Sequence, residues 1–301
     1  MSAAEDFLAM ISRRNFFVAA ASALLAGCSP LRLLNASAAD DSFTLREGLS
    51  YGPLPRHRFD LFVPRSSVAG PVPIAGWPVA VFFYGGSWNR GARADYRFVG
   101  EALASRGILT AIADYRLYPE VRYPDFLHDC ARITALTLHE AGSWGGDPAR
   151  VHVMGHSAGA YNAAMLALDE RWLTSEGASP RSLAGWVGLA GPYDFLPISN
   201  SEVQPVFHYP DSPPDSQPLM HVHKGSPRAF LGAARSDSLV DPQRNTVALA
   251  AQLHAEGVPV EVKLYGRVDH AALIATLARP LRWLAPVLDD VSGFMLGVER
   301  I

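Results

Sequence analysis

Apolar residues run along this chain in two rhythms that trade places. Short, nearly unbroken apolar runs occur at 79–83 (VAVFF), 108–113 (ILTAIA), 151–154 (VHVM), 186–190 (WVGLA), 229–234 (AFLGAA) and 258–265 (VPVEVKLY). All but one lead into a longer stretch whose apolar residues return every three or four positions, as on one face of a helix. The helical stretches are YRFVGEALASRG ending at Gly107, PDFLHDCARITALTLHEAG, AYNAAMLALDERWL, and segments at about 242–256 and 270–290. Ahead of them, from about Ser42, SFTLREGLSYG and RHRFDLFVP read as two strands separated by turn residues. Strands with no polar alternation are those buried on both faces, so the pattern predicts an α/β fold. Its centre is a mostly parallel sheet of about eight strands, with helices on both faces, spanning residues 41–301.

The exception to the alternation follows WVGLAGPYD. Residues 197–228 are rich in Pro, Ser and His and carry neither rhythm. A connection that long inside a compact domain usually serves a function, and this one is expected to form a cap or lid over a pocket at the carboxyl edge of the sheet.

Composition narrows the class without deciding it. The 301 residues are 49% hydrophobic and 18% charged, which suits one globular catalytic-sized domain, and no internal repeat interrupts them. A formal net charge of -3 and the lack of any basic stripe argue against a nucleic-acid partner. The first forty residues stand apart. Paired arginines at 13–14 precede a short alanine-rich apolar stretch ending near Ala26, too short to cross a bilayer core of ~30 Å, and together they look like a twin-arginine export signal. LAGC at 25–28 resembles a lipobox, in which Cys28 would be acylated and would anchor the protein to a membrane of the bacterial cell envelope. A competing cut after Ala36-Ser37-Ala38 would release it into the periplasm. Cys130, the other of two cysteines, lies on an apolar helical face and is expected to be a buried core thiol. No CxxC, HExxH or histidine cluster suggests a metal.

The chemistry concentrates at GHSAG, residues 155–159. GxSxG is a common pattern, but this copy ends a predicted strand and opens a predicted helix, the context of a nucleophile elbow. Side chains at positions 155 and 159 would collide with the neighbouring helix and strand, and Ser157 between them would project toward substrate. A serine hydroxyl needs a base, and the base needs an acid to fix its tautomer. In the chain order Ser, acid, His, two histidines qualify. His270, directly after the last strand, is favoured over His254, which falls inside a helical stretch. Asp237 is favoured over Asp241, which precedes Pro242 and suits a helix cap; Asp269 is expected to be solvated. The oxyanion hole is placed on the turn after VAVFFY, at Gly85, Gly86 and Ser87, with the amide of Ala158 at the helix N-terminus.

YGGSW, DYRLYPEVRYP at 114–124, GGDPARVHVMGHSAGA at 145–160, GPYD, RSDSLV and His270 together resemble the α/β-hydrolase serine esterases, near the hormone-sensitive-lipase-like and kynurenine-formamidase-like enzymes. The resemblance runs from about Phe59 to Leu277. It implies an acyl-enzyme mechanism on a small-molecule ester, with Ser157, His270 and Asp237 as triad and no cofactor. Two other readings remain: an arylformamidase or amidase using the same triad, and a lipid-anchored binding protein that kept the fold without catalysis. One position departs from the pattern. Tyr84 stands where the family usually has histidine, and its hydroxyl either braces the oxyanion loop in its place or leaves the loop differently set.

Overall fold

The computed structural model describes residues 30–298; the arginine pair, the apolar stretch and Cys28 lie outside the described residues. Eight strands form a single sheet in the order β1-β2-β4-β3-β5-β6-β7-β8. They are β1 Phe43–Ser50, β2 Arg58–Pro64, β3 Trp77–Phe83, β4 Leu109–Ala113, β5 Gly146–His156, β6 Gly185–Leu189, β7 Ala229–Ala234 and β8 Val260–Tyr265. β2 pairs antiparallel with both β1 and β4; every other pairing is parallel.

Every residue of β3, β4, β6 and β7 is buried, which is why their sequences lack polar alternation. The edge strands carry Arg46 and Glu47 on β1 and Glu261 and Lys263 on β8, charges that discourage edge-to-edge pairing. The helices longer than four residues are α1 Pro30–Ala36, α2 Arg97–Ala104, α3 Asp125–Glu140, α4 Ala158–Leu168, α5 Glu170–Ser175, α6 Ala248–Ala255, α7 His270–Ala275 and α8 Val287–Leu296. No helix among the described residues is long and apolar enough to cross a membrane.

Two expected helices are divided. The stretch after 158 breaks at Asp169, whose carboxylate caps α5 by accepting the Arg171 amide at 3.1 Å. The segment at 270–290 stops at Ala275, passes through a 3-10 turn at Arg279–Leu281, and restarts after Pro286 as α8. Pro280 and Pro286 lack the amide that a continuous helix needs at those positions.

The connection from β3 leads to β4 on one side, and β5 lies on the other side of β3, so the strand order reverses between β3 and β5. In open α/β sheets a crevice forms at the carboxyl ends of such strands. GGSW leaves β3 there, and Ser157 leaves β5 there.

Residues 197–228 are not a loose excursion. Ile198, Ser199, Asn200, Glu202 and Val203 line a cavity at this crevice. Farther along, Val206, Phe207, Ser216 and Gln217 are buried. The Phe207 ring packs edge-on to Trp88, with centroids 4.8 Å apart, and the Ser216 carbonyl accepts the Tyr161 hydroxyl at 2.6 Å. The segment is therefore a packed wall built from 3-10 turns.

Candidate active site

Ser157 sits at φ 55° and ψ −122°, a strained backbone that residues adopt only when their surroundings impose it. Its amide donates to the Leu189 carbonyl of β6 at 2.8 Å. The glycines on either side explain how the turn closes. A Cβ at Gly155 would come 2.0 Å from the Gly159 carbonyl oxygen, and one at Gly159 would come 2.0 Å from the Phe83 carbonyl oxygen at the end of β3. Helix and strand thus meet backbone to backbone, and the hydroxyl is left at the mouth of the crevice.

Ser157, His270 and Asp237, far apart in the chain, are brought together. His270 Nε2 lies 2.9 Å from Ser157 Oγ, and His270 Nδ1 lies 2.7 Å from Asp237 Oδ2. The other carboxylate oxygen, Oδ1, accepts the amides of Leu239 at 2.9 Å and Val240 at 3.0 Å. Burial pushes the Asp237 carboxyl up, but the His270 hydrogen bond and these amides outweigh it, and the group is held below the usual carboxylate range. An ionised Asp237 accepts the Nδ1 proton, which leaves Nε2 free to take the one on Ser157.

The competing candidates have other tasks. Asp241 accepts the Gln243 amide at 2.8 Å and starts the turn leading into α6. Asp269 is exposed, as expected, but it also caps α7, accepting the Ala272 amide at 2.7 Å. His254 is exposed on α6. Cys130 is fully buried, and its thiol is pushed well up by burial and by Asp129.

At the start of the oxyanion loop, Gly85 borders the cavity beside Ser157, and the buried Tyr96 hydroxyl lies near its amide. Among the described residues, the amides of Gly86, Ser87 and Ala158 have no protein acceptor, and all three residues border a cavity that includes Ser157. Ser87 and Trp88 hold φ of 51° and 56°, two consecutive non-glycine residues in the left-handed region. Trp88 secures that conformation: its Nε1 donates to Asn162 Oδ1 on α4 at 3.0 Å.

Tyr84 settles the departure noted above. Its hydroxyl donates to Asp114 Oδ1 at 2.9 Å and accepts from Arg56 Nη2 at 2.7 Å, and the same Arg56 nitrogen donates to the Gly91 carbonyl at 3.0 Å. Burial, with Asp114 beside it, pushes the phenol far up, so it stays protonated and keeps donating. The Gly85–Gly91 loop is thereby tied at both ends to one ionic group centred on buried Asp114, completed by Arg93 at 2.5 Å.

His156 has a part that the sequence did not disclose, since the second position of GxSxG accepts many residues. Its Nε2 lies 3.0 Å from the His270 carbonyl and donates to it. Complete burial, and then the nearness of His270, lower its pKa to about 3, so the ring is neutral and holds the backbone of His270.

Two cavities meet at Ser157. One, of about 270 Å³, is lined by Trp88, Phe195, Ile198, Asn200, Val240 and others. The other, of about 550 Å³, lies on the α7 side and reaches Leu31 and Leu34 of α1.

The BD-FAE family model matches residues 69–253. The chain belongs to the BD-FAE family. The matched span holds Ser157, Asp237 and the oxyanion loop; His270 and α1 lie outside it. Among relatives of this BD-FAE protein, a probable isoprenylcysteine alpha-carbonyl methylesterase of Arabidopsis thaliana is 28% identical over 279 residues, covering 85% of this chain and 57% of the relative. The chain thus spans under three-fifths of that relative's length. The carboxylesterase NlhH of Mycobacterium tuberculosis is 28% identical over 238 residues, covering 69% and 72%. Among solved structures, a truncated carbohydrate esterase from gut microbiota superposes with a TM-score of 0.71 at 17% identity, covering 86% of this chain and 98% of that one. An esterase of Pyrobaculum calidifontis gives 0.69 at 18%, covering 89% and 90%. The fold is that of the α/β-hydrolases.

Proposed function

We propose that this protein hydrolyses carboxylic esters by acyl transfer through Ser157. The observation that carries the reading is the continuous hydrogen-bonded line from Asp237 through His270 to a serine on a strained elbow. The names of its relatives, a carboxylesterase and a methylesterase among them, support it.

In the first half-reaction Oγ forms a bond to the ester carbonyl carbon as its proton passes to His270 Nε2. The carbonyl electron pair moves onto oxygen, facing the amides of Gly86, Ser87 and Ala158. The bond to the alcohol oxygen then breaks, and Nε2 returns the proton to that oxygen. Water repeats the sequence on the acyl-serine, releasing the acid and restoring Ser157.

A fluorophosphonate probe is expected to label the protein at Ser157, and the unmodified enzyme to hydrolyse p-nitrophenyl acetate, with both lost in Ser157→Ala. A wild-type protein that neither labels nor outpaces the alanine variant would mean that the fold is kept without catalysis. Tyr84→Phe removes the bond to Asp114 and the acceptor for Arg56 while keeping the ring. It is expected to lower kcat roughly tenfold, the scale of a misplaced donor, with a smaller change in KM. An unchanged kcat would show that the loop needs no such brace.

A further inference from the structure

Two leucines flank the way in to Ser157 and face outward. Leu239 borders both cavities and is 74% exposed, so it stands on their common rim. Across the larger cavity, α1 turns Leu31 and Leu34 inward, while Leu33 and Ala36, on the opposite side of that helix, are exposed. α1 cannot roll to hide them. Asn35 Nδ2 donates to the Ala94 carbonyl at 2.7 Å, and Asn35 Oδ1 accepts the Phe98 amide at 3.2 Å.

Single exposed leucines are ordinary on a protein surface, and what gives these a partner is the chain that leads into α1. Cys28, the cysteine of the lipobox-like LAGC, stands two positions before Pro30, where α1 begins. Two residues reach at most ~7 Å, so acyl chains on Cys28 would enter a bilayer directly beside α1. A link that short leaves the domain little freedom to turn its entrance elsewhere. Charged groups share the rim: Arg90 is paired with Glu202 at 2.9 Å, and Asp269 caps α7. The contact that fits is therefore shallow, with leucines at the acyl boundary and charges among hydrated headgroups.

From these placements we infer that the mature protein rests on its membrane through Leu33 and the Leu239 rim, so that the entrance to Ser157 opens onto the lipid surface and the substrate is an ester drawn from the bilayer. The inference rests on the ester-hydrolase reading and on acylation of Cys28, and adds to them a face and a source of substrate. It holds whichever arm of the ester enters either cavity, because both cavities share the rim.

The test uses the mature protein, acylated at Cys28, in phosphatidylcholine vesicles with a nitroxide on some of the headgroups. Cys130 is fully buried, so Leu33→Cys, Leu239→Cys and Ile74→Cys each offer one reactive thiol for a fluorophore. Ile74 is fully exposed and precedes β3, at the end of that strand away from the oxyanion loop. Quenching is expected at positions 33 and 239 and not at 74. Equal quenching at all three, quenching confined to 74, or none at 33 and 239 overturns the inference, as does a mature chain that begins at Ala39, which would lack both the anchor and α1.

The source of substrate is read from two fluorophosphonates, one with a decyl chain that partitions into the vesicles and one small and water-soluble. A Gly/Ser spacer of about ten residues inserted between Ser29 and Pro30 reaches on the order of 17 Å and lets the domain turn while it stays anchored. It is expected to lower the ratio of decyl to soluble labelling rates roughly fivefold and to weaken quenching at 239. An unchanged ratio means that substrate arrives from water, and the inference fails. A protein that takes neither probe, with or without the spacer, defeats the ester-hydrolase reading itself, while the quenching still decides the face.

Discussion

Asp237→Asn is expected to lower kcat by about four orders of magnitude while the protein keeps its fold. The size of the effect follows from the way the two carboxylate oxygens are used. Oδ1 accepts the amides of Leu239 and Val240, and Oδ2 accepts the Nδ1 proton of His270. An asparagine has one acceptor and one donor in those places. Two backbone amides compel its carbonyl oxygen to take the Oδ1 position, and its NH2 group then points at His270. Nδ1 must become an acceptor, the ring proton moves to Nε2, and the nitrogen facing Ser157 no longer has a lone pair to offer. Both loop amides remain satisfied, so thermal stability should change far less than kcat. The measurements are kcat on p-nitrophenyl acetate per titrated site and Tm on the same sample. A loss under tenfold would mean that His270 does not depend on Asp237 for its tautomer.

How far the site could be read from the chain depends on the distance over which each residue is constrained. Ser157 and its flanking glycines were legible because a strand, a tight turn and a helix lie within a dozen residues; the clash at 155 is with Gly159 of that same turn, while the clash at 159 is with Phe83 at the end of β3. His270 and Asp237 were legible because chain order and strand ends leave few alternatives, and the rejected Asp241 shows the cap that its Pro242 suggested. The sheet was legible because its central strands are buried on both faces and so carry no polar alternation.

What the chain hid was always a partner from elsewhere. Gly85 in YGGSW has the hydroxyl of Tyr96 near its amide, and nothing in the order of residues announces that neighbour. Tyr84 could be identified as a departure, but its role needs Arg56 and Asp114 from two other segments. His156 holds the His270 carbonyl across 114 positions. The stretch at 270–290 divides for a local reason, Pro280 and Pro286, which the apolar spacing alone does not register.

Gly159→Ala puts the close approach of α4 to β3 to its most severe test, and it is expected to cost more stability than any polar substitution in the site. The added Cβ would stand 2.0 Å from the Phe83 carbonyl oxygen, 2.4 Å from its carbon and 2.6 Å from the Tyr84 carbonyl oxygen. These are backbone atoms at the end of the central strand β3, with both side chains fully buried, so no flexible group can yield. Either α4 or β3 must shift, and overpacking of this kind costs about 3 kcal/mol or more, roughly 6 to 12 °C in Tm for a domain of this size. Gly142→Ala is the matched control, because a Cβ there meets nothing within 4 Å. The same shift has a catalytic consequence. α4 carries Ser157 and the Ala158 amide, while Phe83 and Tyr84 lead into Gly86 and Ser87, so the collision separates the two halves of the oxyanion hole. Whatever fraction of Gly159→Ala folds should therefore show a depressed kcat per active site as well as a lowered Tm. Wild-type stability in that variant, measured beside Gly142→Ala, would show that helix and strand do not meet as closely as described, and the elbow would lose its physical basis.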